Sequence, residues 1–155
     1  FGNIEFKIIL VPGHTSGHIC LYSNKEKIIF TGDTLFSLGC GRLFEGTYSQ
    51  MLASLNKIKN LPKHTSVYCG HEYTKKNLDF CSKLEFNNHF LKEKKKWVDS
   101  RISKKEPTLP VTIEEELNTN IFLRCDVPSV KKNLGMENSS EVEIFKKLRD
   151  LKDSF

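Results

Sequence analysis

The chain has 155 residues, a net charge of +5 and 38% hydrophobic content, which describes a globular chain of one domain or two small ones and excludes a disordered polymer. The basic excess divides as +2 up to Glu72 and +3 beyond it, too diffuse for a nucleic-acid surface and compatible with a small anionic substrate. No apolar run has the length of a bilayer span. Five cysteines lack any C-x-x-C pair, so the expected setting is a reducing compartment, cytoplasmic or organellar, with no membrane partner.

In chain order, Glu5 to Val11 reads as a strand stopped by Pro12. Ile19 to Ser23 and Lys27 to Thr31 read as two more, joined by the polar turn Asn24-Lys25-Glu26. Their apolar runs are continuous, the pattern of a sheet covered on both faces. Asp33 to Thr47 reads as a loop with glycines at 39, 41 and 46, the kind of segment that binds substrate at a sheet edge. Met51, Leu52, Leu55 and Ile58 then recur at helical spacing, with Thr47 as the N-cap and the end near Asn60. Ser66 to Cys69 is a short strand.

Beyond His71 the pattern turns helical: Leu78, Cys81 and Leu84 in one segment, and Asn88 to Ser103 in the next. The Lys92 to Lys96 run reads as a solvated helix face. Pro107 to Pro110 is extended, Thr112 and Glu115 have capping-box spacing, and Ser140 to Leu151 is a helix with Val142, Phe145, Leu148 and Leu151 on one stripe. Four short strands and one long helix make an α/β unit with one sheet face bare, followed by a helical half.

Three apolar runs end in a glycine followed by a metal-ligand residue type: Gly13-His14, Gly32-Asp33 and Gly70-His71. Glycine lets a chain turn sharply at a strand end or approach another group closely. Taken singly, His14 could be a turn residue and Asp33 a helix cap. Their recurrence at strand termini favours a metal site, since two imidazoles and a carboxylate suit a borderline cation such as zinc.

The strings Pro12-Gly13-His14-Thr15-Ser16-Gly17-His18, Phe30-Thr31-Gly32-Asp33-Thr34-Leu35-Phe36, Gly39-Cys40-Gly41-Arg42 and Cys69-Gly70-His71-Glu72-Tyr73 resemble the metallo-β-lactamase superfamily and, within it, glyoxalase II, the hydroxyacylglutathione hydrolases. The resemblance implies the second half of an αβ/βα sandwich (residues 1–72) followed by a helical glutathione-binding domain (73–155). It implies a binuclear hydrolase, normally zinc with iron or manganese as alternatives, that converts S-D-lactoylglutathione to D-lactate and glutathione. His14 and His71 would each complete one metal's set, Asp33 would bridge the two and act in catalysis, and His18 would be structural. Two cations close together lower the pKa of a shared water. Arg42 stands where a lysine is common and Phe44 where a tyrosine is common, so one hydroxyl contact is lost. Tyr73 and Asn77 match glutathione-binding positions, and Arg149 and Lys152 match a basic pair for the glycine carboxylate.

The family's upstream Thr-His-x-His-x-Asp-His ligand string does not occur here. The 155 residues alone are therefore expected to be inactive as a thioesterase, and to associate through exposed sheet. Two rival readings are a persulfide dioxygenase of the same superfamily, disfavoured by Glu72 and by the basic helical tail, and a non-catalytic glutathione-binding or assembly module.

Overall fold

The computed structural model describes residues 2–155. Its elements are β1 (Lys7–Leu10), β2 (Ile19–Ser23), β3 (Ile28–Gly32), β4 (Leu35–Phe36), β5 (Gly39–Cys40), α1 (Tyr48–Lys59), β6 (Ser66–Cys69), α2 (Thr74–Leu84), α3 (His89–Ser103), β7 (Val111–Thr112), α4 (Ile113–Thr119), a 3-10 turn (Ile121–Leu123), α5 (Pro128–Asn133) and α6 (Glu141–Asp153). The main sheet runs β1-β2-β3-β6-β7. Only β3 and β6 are parallel, with α1 as their crossover; the other pairs are antiparallel.

Register sorts the side chains into two rows. Tyr22, Ile29, Val67 and Val111 are successive partners across β2, β3, β6 and β7, and all four are buried. That row joins a core that continues through Met51, Leu55 and Ile58 of α1 to Phe122 and Phe145 of the helical half. The Phe122 ring stacks on Phe80 at 6.0 Å and meets Phe145 edge-on at 5.9 Å.

The opposite row is Ile8, Leu21, Phe30 and Tyr68, exposed by 64%, 36%, 41% and 39%. The continuous apolar runs therefore do not mean a sheet covered on both sides within these residues. One face is covered, and the other is a bare apolar row, as the element count anticipates. Phe6, Phe30 and Tyr68 pack ring against ring along it, at 5.9 and 5.4 Å.

Several boundaries follow local chemistry. Thr47, Thr112 and Ser140 each close a capping box, on α1 with Gln50, on α4 with Glu115 and on α6 with Glu143. Other expectations need correction. The first strand is shorter than Glu5 to Val11. The segment after Asp33 is a tight hairpin, with Leu35 opposite Cys40 and Phe36 opposite Gly39. Val111 and Thr112 return from the helical half to pair with β6, a strand too short to leave a period in the sequence. Helix α6 is rotated from its expected stripe: Ile144, Phe145, Leu148 and Arg149 are buried, while Val142 is exposed. Lys94 is no solvated lysine either; it is buried under the Trp97 ring at 4.3 Å and paired with Glu115 at 2.9 Å. All five cysteines are free, and all but Cys69 are buried.

Candidate metal centre and anion cleft

His14 leaves the end of β1 in a loop that a second loop holds down. Phe44 N–H donates to the His14 carbonyl and Gly46 N–H to the Gly13 carbonyl. Ser16 donates both its N–H and its hydroxyl to Glu45 Oε2, at 2.7 and 2.8 Å. These bonds hold the Glu45 carboxyl below its usual range. The imidazole is oriented too: His14 Nδ1 lies 2.8 Å from the Arg42 carbonyl, which can only accept, so Nδ1 carries the proton. Nε2 then faces Asp33 Oδ2 at 3.6 Å.

Asp33 follows Gly32, whose φ of +50° is a conformation that favours glycine. A Cβ at that position would also meet His18 Nε2 at 2.6 Å. The close approach has a purpose, because His18 Nε2 accepts the Asp33 backbone N–H at 3.1 Å. The structural reading of His18 becomes specific: it anchors the backbone of the carboxylate residue. On the other side, Gly70 leaves room for Asp33 Oδ1, which would lie 2.5 Å from a Cβ there. His71 then directs Nε2 at the same Asp33 oxygen as His14 does, at 3.5 Å. Its ring stacks on Tyr73 at 5.1 Å.

The three sequence-derived ligand candidates thus converge on one carboxylate oxygen. Nitrogen and anionic oxygen donors with fixed tautomer and glycine-walled access fit a borderline cation. They are only part of a shell: no group of three or more such side chains among the described residues closes on a cation position.

A cleft of about 480 Å³ opens here, lined by His14, Asp33 and His71 and by the cations Arg42, Lys76, Arg149 and Lys152. The β4–β5 hairpin forms its floor and is fastened from below. Asn77 Nδ2 donates to the Ser37 carbonyl at 2.9 Å, and Asn120 Nδ2 to the Gly39 carbonyl at 3.0 Å. Glu116 accepts from Leu38 N–H at 2.9 Å, at a residue with φ of +60°.

The expected substrate residues all line the cleft, in different states. Phe44 is largely exposed and leans on the His14 ring at 4.9 Å. Tyr73 is half-exposed. Asn77 is buried and spends its amide on the hairpin. Arg42 lies 3.6 Å from Asp153. Arg149, 4% exposed, donates to the Cys40 carbonyl at 3.0 Å and to Asp153 at 2.9 Å, so it is built into the wall rather than left on the surface. Lys152 donates to the Lys76 carbonyl at 3.2 Å and lies over the Phe80 and Phe155 rings. Burial pulls its pKa down to about 8.

Sequence reasoning missed Glu45, Lys76, Glu116 and Asn120. The Ser16–Glu45 contact spans 29 residues and leaves no local signal. Lys76 had one: it stands three residues after Tyr73, on the same helix face.

Histidine and aspartate side chains at the ends of sheet strands, above a helix-backed face, are the arrangement of a metallo-β-lactamase-type domain. Residues 1–71 match the family model of the metallo-β-lactamase superfamily, and the BLEG-1 B3 metallo-β-lactamase superimposes with a TM-score of 0.52 at 28% identity over 79% of this chain and 43% of that one. ETHE1 from Myxococcus xanthus shares the fold, with a TM-score of 0.58 at 24% identity over 97% of this chain and 47% of that one.

Residues 72–155 match the model described as the hydroxyacylglutathione hydrolase C-terminus, and the chain belongs to the hydroxyacylglutathione hydrolase family. It is 54% identical to the hydroxyacylglutathione hydrolase of Pelagibacter ubique over 99% of its length, and 49% identical to that of Chelativorans sp. over 99%. It spans 58% and 60% of those two relatives. No helix among the described residues is long and apolar enough to cross a membrane.

Proposed function

We propose that the chain forms the substrate-binding half of a thioester hydrolase that converts S-D-lactoylglutathione to D-lactate and glutathione. The observation that carries the reading is the cleft itself, in which two imidazoles face one carboxylate oxygen and four cations share the lining. In hydrolysis the oxygen of a water adds to the thioester carbonyl carbon, the C–S bond breaks, and the departing thiolate takes up a proton. His14, Asp33 and His71 would hold zinc, or iron or manganese in its place, and bound cations would supply Lewis acidity and an acidified water. Arg149 and Lys152 receive the glycine carboxylate, Arg42 adds positive charge, and Tyr73 and Phe44 border the acyl and thiol region. Asn77 serves by holding the hairpin. The setting that suits free thiols and a glutathione substrate is the cytoplasm, or an organelle of similar redox poise.

Three donors cannot complete two metal shells, so the remaining ligands have to come from outside these 155 residues. The four cations that line the cleft, by contrast, all lie within them. This supports a second reading for the chain taken alone, as a glutathione-binding module that does no chemistry.

The test fuses the chain to the N-terminal part of the Pelagibacter relative and measures thiol release from S-D-lactoylglutathione. Metal-dependent turnover in the fusion, lost in Asp33→Asn and His71→Ala and absent from the 155-residue chain, is the expected result. Turnover that survives both substitutions, or a fusion that binds metal yet leaves the thioester intact, would overturn the proposal.

A further inference from the structure

Of the four cations that line the cleft, three are already engaged. Arg149 is held by the Cys40 carbonyl and Asp153, Arg42 faces Asp153, and Lys152 is bonded to a backbone carbonyl between two aromatic rings. Lys76 differs. It is exposed, it lines the same cleft, and no carboxylate of the described residues lies within 4.0 Å of its ammonium. It stands in the first turn of α2 beside Tyr73 and Asn77, both of which also line the cleft.

We propose that Lys76 is a specificity-determining residue, the cation that receives the second carboxylate of a dicarboxylate thiol-carrier substrate while Arg149 and Lys152 receive the first. The inference rests on the glutathione-thioester reading and deepens it. A carboxylate arriving at Arg42 must compete with Asp153. One arriving at Lys76 displaces only water, and the flexible four-carbon stem adapts to its position. The charge of Lys76 also acts on Lys152, helping to lower its proton affinity, so the two ammonium groups share one field at the mouth of the cleft. An exposed ion pair contributes modestly, which makes this a selector among substrates rather than the main source of affinity.

Calorimetric titration of the 155-residue chain with S-methylglutathione, and with each of its two monoamides, tests the proposal. Lys76→Gln should weaken S-methylglutathione binding by about three- to fivefold, the scale of one solvent-exposed ion pair. Lys76→Arg should restore it. The Lys76→Gln effect should vanish with the monoamide at the γ-glutamyl α-carboxylate and persist with the glycine monoamide; the reverse pattern overturns the assignment. Equal weakening of all three ligands, or no weakening of any, overturns the assignment to Lys76 and leaves the glutathione reading standing. Failure of the unsubstituted chain to bind S-methylglutathione overturns both. Because Lys76 is exposed, the glutamine variant keeps the fold, and circular dichroism confirms it.

Discussion

Glu116 is a carboxyl group sealed from the protein surface. It is fully buried; Oε2 accepts from Leu38 N–H and from Asn120 Nδ2 at 2.9 and 2.8 Å, and Oε1 has no partner. Desolvation raises its pKa from 4.5 to about 7, outweighing the Asn120 and Leu38 hydrogen bonds and the positive charge of Lys94, which act the other way, while Glu115 adds a small push upward. Because the folded value is the higher one, the native state keeps a proton that the unfolded chain has already released between pH 4.5 and 7. The stabilising contribution is therefore fully present below that window, falls as pH rises through it, and is gone above it. At roughly 1.4 kcal/mol per tenfold change in proton affinity, the loss between pH 5 and pH 8 is on the order of 2–3 kcal/mol. Glu116→Gln cannot titrate. Urea unfolding followed by Trp97 fluorescence, at pH 5 and pH 8 and constant ionic strength, should show wild type losing about 2–3 kcal/mol more than the variant, with unchanged m. Every other titrating group is common to both proteins and cancels. Equal pH dependence in the two would refute the claim that Glu116 is buried as a protonated acid beneath the hairpin.

Four further outcomes are expected. His18→Ala removes the acceptor for the Asp33 N–H; in the fused protein it should weaken zinc binding by about 10- to 100-fold, read by competition with a chelator. The Lys152 pKa lies near 8, so affinity for S-methylglutathione should fall as pH rises from 7 to 9, and Lys152→Met should flatten that profile. Phe122→Ala, at the junction of the Phe80 and Phe145 rings, should cost about 3–5 kcal/mol in urea unfolding. The bare row of Ile8, Leu21, Phe30 and Tyr68 should make the chain bind a hydrophobic dye and associate at high concentration; Leu21→Lys with Phe30→Lys should reduce both, measured by fluorescence and sedimentation.

Much was determined by local sequence alone. Capping boxes at Thr47, Thr112 and Ser140, helical spacing in α1 to α3, and a glycine before each of His14, Asp33 and His71 are short-range signals, because capping and turning involve residues no more than four apart. The motif strings carried the family reading for the same reason. Tertiary structure decided what depends on distant partners. Val111 becomes a strand only because Val67 lies beside it, and Lys94 is buried only because Glu115 and Trp97 receive it. Arg149 is a wall of the cleft because Cys40, 109 residues away, presents a carbonyl to it. Whether an apolar row is core or bare surface was likewise undecidable from composition. Ile29 and Phe30 are neighbours in sequence, but pleating sends one into the core and the other outward, and only the packing of α1 settles which side is covered.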